Sequence, residues 1–329
     1  MRRNWVIFLI TAICLAVSAG ASGQKKIVRQ VLRVDSMMLQ RYRAAKIDTN
    51  YVTRPTTRFT LSARFNTAGA KLNTEGFNEG GHFRGRLKAD YKSTISAAVN
   101  YLGVTLALSL NPAKLLGRYS DYELSLVYYG KQFGGDLIYQ KAKNYTGYYE
   151  QDGFGRMEFP ADILEMRTVN ANGYYVFNHR KFSYPAAMTQ GYIQRRSAGS
   201  FMLAASIQAQ EGEYDYVKSF KMQITNIGLG GGYGYNWVPA RRWLVHLSAL
   251  PTFIVFNHTW MKYDGSRVKV GYHFPEVIVT SRGAVVYQIG RNMFAALSGV
   301  YYFTNIGGKK HLEIESEKWR TRLTYGIRL

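Results

Sequence analysis

The closing residues of this chain alternate between two kinds of side chain. Trp319, Thr321, Leu323, Tyr325, Ile327 and Leu329 fall on one parity; Lys318, Arg320, Arg322, Thr324, Gly326 and Arg328 fall on the other. Successive side chains of a strand point to opposite faces, so this segment carries one apolar and one basic surface. In a soluble sandwich the apolar face meets a second sheet. In an outer-membrane barrel it meets lipid, and the basic face lines the lumen.

The pattern recurs from residue 57 onward. Phe59, Leu61, Ala63 and Phe65 alternate with Arg58, Thr60, Ser62 and Arg64. Leu87, Ala89, Tyr91, Ile95, Ala97 and Val99 alternate with Arg86, Lys88, Asp90, Lys92, Thr94 and Ser96. Such alternation predicts strands with one apolar face. Candidate strands fall near 57–66, 85–100, 103–110, 121–129, 133–141, 163–177, 198–210, 222–237, 242–256, 273–289, 292–304 and 317–329. The predicted fold is all-β: an antiparallel transmembrane up-and-down β-barrel of about 12 strands, in a range of roughly 10 to 14, with a short N-terminal helix. An even count puts both barrel termini in the periplasm. The connections at 100–103, 130–132, 238–241 and 289–291 are short, and those at 67–84, 111–120, 142–162, 211–221, 257–272 and 305–316 are long. That is the expected asymmetry of periplasmic turns and outer loops.

Residues 1–23 read as a cleaved export signal: Arg2 and Arg3, an apolar core from Trp5 to Val17, then Ala21-Ser22-Gly23. The core is too short for a spanning helix. Cys14 is the only cysteine and falls within this leader. The exported chain is then without disulfides or thiolate metal sites. Residues 24–56 form the next segment, where Ile27, Val28, Val31, Leu32, Met38, Leu39 and Tyr42 approximate a helical stripe, periplasmic or luminal. Residues 57–329 form the barrel. The formal net charge of +22 is scattered and not clustered in runs. Behind a signal peptide it points away from nucleic acid and toward lipopolysaccharide phosphates, anionic lipids and anionic solutes.

Residues 178–197 break the short-turn rule. They form either an extra hairpin or an excursion into or under the barrel, and long ordered connections are often functional. Ser183-Tyr184-Pro185-Ala-Ala-Met-Thr-Gln190 and Gln194-Arg195-Arg196-Ser197, with Gly130-Lys-Gln-Phe-Gly134 and Tyr101-Leu-Gly103, resemble an uncharacterised family of Bacteroidetes outer-membrane barrels, a domain of unknown function. The resemblance covers roughly residues 30–329 and implies an outer-membrane site in a Gram-negative cell, with no activity attached. The last strand, through Leu323, Tyr325, Ile327 and Leu329, also resembles the signal read by the barrel assembly machinery.

Arg58, Arg64, Arg86, Lys88, Lys92, Arg320, Arg322 and Arg328 come from the first two strands and the last. Closure makes those strands neighbours, so the eight are expected to form one basic luminal wall. That wall attracts anions through a porin-like pore or pairs with acids of a plug. His179 and Ser183 are candidates for a lipid hydrolase, but their spacing does not fit the outer-membrane phospholipase motif. Glu313, Glu315 and Glu317 share a face that either holds a bridging cation or pairs with nearby bases. The glycines from 228 to 234 mark an inward face stripped of side chains, which permits bending or close approach of a plug. No cofactor, catalytic residue or metal site is expected. The leading functional expectation is a narrow channel for small anionic or amphipathic solutes. A lipid-modifying hydrolase and a structural or docking barrel are the alternatives. An open polar path, a Ser–His pair on the lipid face and a filled lumen discriminate among the three.

Overall fold

The structure, a computed structural model, describes Arg33, Ser36, Met37, Leu39, Gln40, Tyr42, Ala44 and residues 46–329, except 58, 79, 103, 111–121, 144, 162, 216–218, 264–265, 270–273 and 309–310. The expected leader and Arg58 lie outside the described residues. Those described between 33 and 44 are helical. The chain divides into two units, 1–46 and 47–329, and the second holds the sheet.

The strands are β1 (Val52–Thr53), β2 (Phe59–Asn78), β3 (Gly81–Tyr101), β4 (Val104–Leu110), β5 (Tyr122–Tyr129) and β6 (Phe133–Ala142). Then come β7 (Tyr145–Gln151), β8 (Gly155–Phe159), β9 (Glu165–Val176), β10 (Ile193–Gln194), β11 (Ala198–Asp215) and β12 (Ser219–Trp237). Last are β13 (Trp243–Tyr263), β14 (Ser266–Lys269), β15 (Val277–Gln288), β16 (Met293–Gly308) and β17 (Leu312–Arg328). One short helix, α1 (Tyr184–Met188), precedes β10.

Twelve of the described strands form an antiparallel ring. Around it run β3, β4, β5, β6, β9, β11, β12, β13, β15, β16, β17 and β2, and β2 pairs again with β3. The first and last ring strands pair from Leu312–Gly76 to Arg328–Thr60. Each predicted strand has its counterpart here. Two hairpin additions lie in predicted outer loops. β7 and β8 pair with each other, with β7 on the upper half of β3, and β14 pairs with β13.

The outward face changes character along each strand. Leu323, Tyr325, Ile327 and Leu329 are exposed, as are Leu61, Phe65, Leu203, Leu247 and Leu297. On β17 this apolar stretch runs from Leu329 up to Trp319, roughly the 10-residue length that a tilted membrane strand needs. Near the end that holds Leu329, exposed and half-buried aromatics pair across strands: Phe59 with Tyr101 at 4.7 Å, Phe133 with Tyr175 at 5.0 Å and Trp243 with Tyr287 at 4.7 Å. They form the aromatic girdle of a membrane barrel. Beyond Trp319 the sense inverts. Glu313, Glu315 and Glu317 point outward, while Leu312, Ile314 and Ser316 are buried inside.

A β-bulge makes the same inversion on β3. Ala68 pairs with Lys92 but Ala70 pairs with Ala89, so β3 holds one extra residue. An extra residue flips every later side chain to the other face. Phe83, Leu87 and Ala89 therefore pack inside, and Arg86 and Lys88 are exposed outside. This corrects the luminal placement expected for those two. The side chain of Lys92 lies outside the described set.

Depth on the outward face should decide tolerance to charge. Tyr325→Arg should cost roughly 2–4 kcal/mol of barrel stability and lower membrane yield. Glu317→Arg, on the same face above the band, should lose little. Equal yields of heat-modifiable barrel for the two variants would contradict the assigned membrane band.

Candidate functional site

The twenty residues that break the turn rule are an inward excursion and not a hairpin. Phe182, Ser183, Tyr184, Ala186 and Ala187 are essentially inaccessible to solvent. The Ser183 side chain accepts from Ala186 N–H at 3.3 Å and caps α1, with Pro185 in its first turn. Gln194 is the hub of the plug. Its Oε1 accepts from Ser183 N–H at 3.0 Å and from Asn236 Nδ2 at 3.1 Å. Its Nε2 donates to the carbonyls of Lys181 at 2.6 Å and Arg196 at 2.9 Å. Ser197 Oγ accepts from Val238 N–H, and Gln190 offers its carbonyl to Arg328 Nε at 3.3 Å. Arg195 and Arg196 remain exposed. β1 ties the preceding segment to this plug through Val52–Gln194 and Thr53–Ile193.

Gly234 shows what the glycine run does. A Cβ there would lie 3.1 Å from the Phe182 ring, and at Gly232 it would lie 1.9 Å from the Ala249 carbonyl oxygen. The first is close approach by the plug; the second is tight bending of β12 against β13.

Asn236 carries the plug network into the wall. Its Nδ2 donates to Ser183 O at 2.9 Å, and its Oδ1 accepts from His246 Nδ1 at 2.7 Å. His246 Nε2 then accepts from Ser248 Oγ at 3.0 Å. The order Ser–His–Asn is that of a hydrolase triad, but all three side chains are buried and face inward, and the asparagine amide is committed to the plug. The lipid-face arrangement required for lipid hydrolysis is not what these residues form. Ser183 and His179 make no such pair; the Ser183 hydroxyl serves as a helix cap.

Above the plug, one ion pair crosses the lumen. Arg282 Nη2 on β15 donates to Asp136 Oδ2 on β6 at 2.9 Å, although β13, β12, β11 and β9 separate those strands along the ring. Asn172 Nδ2 donates to the other carboxylate oxygen at 2.8 Å. Tyr129, Tyr174 and Tyr184 surround the pair, with Tyr174 and Tyr184 rings 4.7 Å apart. Sequence reading missed both ionic partners. Both faces of β15 read as apolar and small, so the parity of Arg282 gave no signal.

Beside this pair is a cavity of about 100 Å³. Arg64, Arg282, Arg320 and Arg322 line it, with Asp136, and Met188 and Thr189 of the plug also face it. Arg64 Nε donates to Ser62 Oγ at 3.1 Å and Arg322 Nε to Asn66 Oδ1 at 2.7 Å. Of the expected basic wall, Arg64, Arg320 and Arg322 thus come together. Arg328 lies lower, donating to Gln288 Oε1 at 2.8 Å and to the plug.

The outer half of the lumen holds an apolar cluster, with Gln208, Gln210, Glu276 and Thr304 buried beside it. Leu72, Phe83, Met166, Met222, Ile254, Ile278, Ile306 and Ile314 belong to one buried cluster drawn from ten of the twelve ring strands. The β7–β8 hairpin spans the mouth: it is anchored on β3, and Phe159 meets Tyr214 of β11 edge-on at 5.5 Å. Outside, the glutamate ladder pairs with protein groups: Glu317 with Lys71 at 3.8 Å, Glu315 with Asn73 at 3.2 Å and Glu313 with Asn305 at 2.9 Å. At the same outer level, hydrogen bonds from Lys141, then Arg167 and Lys143, hold the Glu165 carboxyl at about 2, below the usual carboxylate range. The stabilisation from that cluster is present above the ordinary carboxylate range and lost as pH falls through about 2.

A family model described as a domain of unknown function, DUF4421, matches residues 46–328. The chain belongs to this family. No curated protein matches it in sequence. The DUF4421 barrel is similar in structure to the outer-membrane protease OmpT of Escherichia coli, at 10% identity and a TM-score of 0.48, covering 83% of this chain and 97% of that one. The β-domain of the Bordetella autotransporter BrkA matches at 13% identity and 0.35, covering 83% and 100%. OprG of Pseudomonas aeruginosa matches at 9% identity and 0.29, covering 86% and 99%.

The ion pair of the DUF4421 barrel should behave as a buried unit. Arg282→Met alone strands the Asp136 carboxylate and should cost about 3–5 kcal/mol. Arg282→Met with Asp136→Leu should recover most of that loss in denaturant unfolding from detergent. Additive losses in the double variant would show that the two groups are not coupled.

Proposed function

We propose that this chain is a bacterial outer-membrane barrel that acts as a closed docking body and not as a conducting pore. The observation that carries this reading is the filled lumen. The plug occupies one end, the Arg282–Asp136 pair crosses the middle, and the apolar cluster packs the outer half together with Gln208, Gln210 and Glu276. Ions crossing an apolar layer lose hydration without replacement. The filled lumen speaks against the channel for anionic solutes that the basic strand faces suggest. The inward-facing Ser248–His246 pair gives no support to hydrolysis of membrane lipids.

In this reading the leader directs export, the closing strand directs insertion, and the end with short turns faces the periplasm. That end carries Arg54, Arg180, Lys181, Arg195, Arg196, Arg241, Arg242 and Arg291, against Asp48, among the described residues. Its partners are therefore anionic. Arg241 and Arg242 lie in the turn between the exposed Trp237 and Trp243, a level suited to headgroups of the inner leaflet. The outer rim, where acids and bases alternate and pair, faces lipopolysaccharide.

Folded protein in planar bilayers should give no conductance steps at any voltage or salt tested. Reproducible channels from pure, folded barrel would overturn the closed-body reading. On intact cells, Phe154→Cys in the β7–β8 turn should react with an impermeant maleimide, while Ala240→Cys should be protected. The reverse pattern would invert the orientation.

A further inference from the structure

We propose that the underside of the plug is a docking site for an acidic polypeptide segment of a periplasmic protein, held by Arg180, Lys181, Arg195 and Arg196. The proposal deepens the docking-body reading and rests on its orientation, with the short-turn end in the periplasm. Two dibasic steps far apart in sequence meet here. The Gln194 amide donates to Lys181 O at 2.6 Å and to Arg196 O at 2.9 Å, so one side chain holds both steps together. Further hydrogen bonds fix the main chain of each step. Arg180 O accepts from Asp48 N–H at 3.0 Å, Lys181 N–H donates to Asn178 O at 3.2 Å, and Arg195 N–H donates to Tyr51 O at 2.7 Å. The buried Lys131 Nζ donates to His179 O. On this fixed backbone the side chains of Arg180, Lys181, Arg195 and Arg196 are exposed. Lys181 Nζ lies 5.1 Å from the centre of the Tyr51 ring, and Arg195 Nε donates to Thr53 Oγ1 at 3.2 Å. A surface whose backbone is already set loses less to ordering when a partner arrives.

The charge of this end follows from the whole sequence. No acidic residue occurs between Glu165 and Glu211, a stretch that contains the entire plug and its flanks. None occurs between Asp90 and Asp121, Glu123 and Asp136, Asp215 and Asp264, or Glu276 and Glu313, and none follows Glu317. Each turn at the short-turn end lies within one of these acid-free stretches. Before Glu75 the side-chain acids are Asp35 and Asp48. Asp35 belongs to a segment that also carries Lys25, Lys26, Arg29, Arg33, Arg41 and Arg43, so that segment adds net positive charge. Asp48 Oδ1 accepts from Asn50 N–H at 3.0 Å. The chain thus has too few acids of its own to neutralise this end.

Position selects the partner. The dibasic steps flank a plug seated inside the ring, while the exposed Trp237 and Trp243 mark where the outer surface of the ring meets headgroups. Arg241 and Arg242, between those tryptophans, serve the bilayer; the plug flanks face the aqueous side. Guanidinium forks match carboxylates with paired hydrogen bonds. An extended acidic segment offers a carboxylate about every 3.3 Å, on alternate sides, which suits two dibasic steps joined by one amide. Attraction of this kind speeds encounter and weakens with salt.

The test uses the full chain refolded in an uncharged maltoside detergent and a fluorescein-labelled peptide of alternating Glu and Asp, read by fluorescence anisotropy. The peptide should bind saturably and be released by concentrated salt, and a Gln–Asn peptide of equal length should not bind. Arg195→Gln with Arg196→Gln should weaken binding about tenfold or more, as should Arg180→Gln with Lys181→Gln. Arg241→Gln with Arg242→Gln removes as much charge from a ring turn and should change binding less than about twofold. Heat-modifiable mobility establishes that each variant is folded. Equal losses in all the double variants would reduce the effect to net charge and overturn the proposal. It also fails if the peptide does not bind, whether or not dioctanoyl phosphatidylglycerol or purified peptidoglycan binds through the same residues in its place. Binding to the refolded barrel is independent of orientation in the cell. Surface labelling of Ala240→Cys would therefore overturn the reading beneath the proposal, and loss of peptide binding the proposal itself.

Discussion

The width of a twelve-stranded ring governs this structure. About eight strands leave an interior that wall side chains fill, and about sixteen leave an aqueous channel. Closure between β2 and β17 pairs the first and last strand edges, and in the membrane an unpaired N–H or C=O is costly. The interior it encloses is too wide for the wall alone. The chain fills it with its own residues 182–194, seated against the side-chain-free face of β12.

From that constraint follows a gradient along the barrel axis. At the turn end, the plug brings buried amide groups, and Gln194, Asn236 and His246 satisfy one another and the plug backbone. In the middle, the wall supplies the charges, and Arg282 finds Asp136 across the lumen. Beyond the membrane band, water replaces lipid outside, so the strands exchange their faces: aliphatic side chains turn in and charges turn out. The bulges in β3 and β13 make this exchange without breaking the ladder. The upper barrel is organised like a soluble protein and the lower part like a membrane protein with a polar interior.

Much of this was legible in the chain. Most ring strands announced themselves by alternation, and the glycine run of β12 announced a face that something approaches. Three things were not. The parity of Arg86 and Lys88 depended on one extra residue in β3, which leaves no compositional trace. The inward roles of Arg282 and Asp136 depended on contacts across the ring between distant segments, which local patterning does not encode. The outer halves of strands such as β2 and β17 were underestimated for a related reason: their apolar face inverts beyond the membrane, so the alternation breaks phase with the segment below.

The filled outer lumen is the centre of this account, and Cys14 is the one native cysteine, so a Cys14→Ser background leaves no other thiol to confuse a probe. The direct measurement is the reaction rate of a small charged methanethiosulfonate with Met222→Cys and Ile254→Cys in the folded barrel, with Phe154→Cys as the exposed reference. The account predicts that the two inward cysteines react only on unfolding, while the reference reacts at once. Comparable rates at all three positions would mean that water and ions reach the outer lumen, which would contradict the closed barrel.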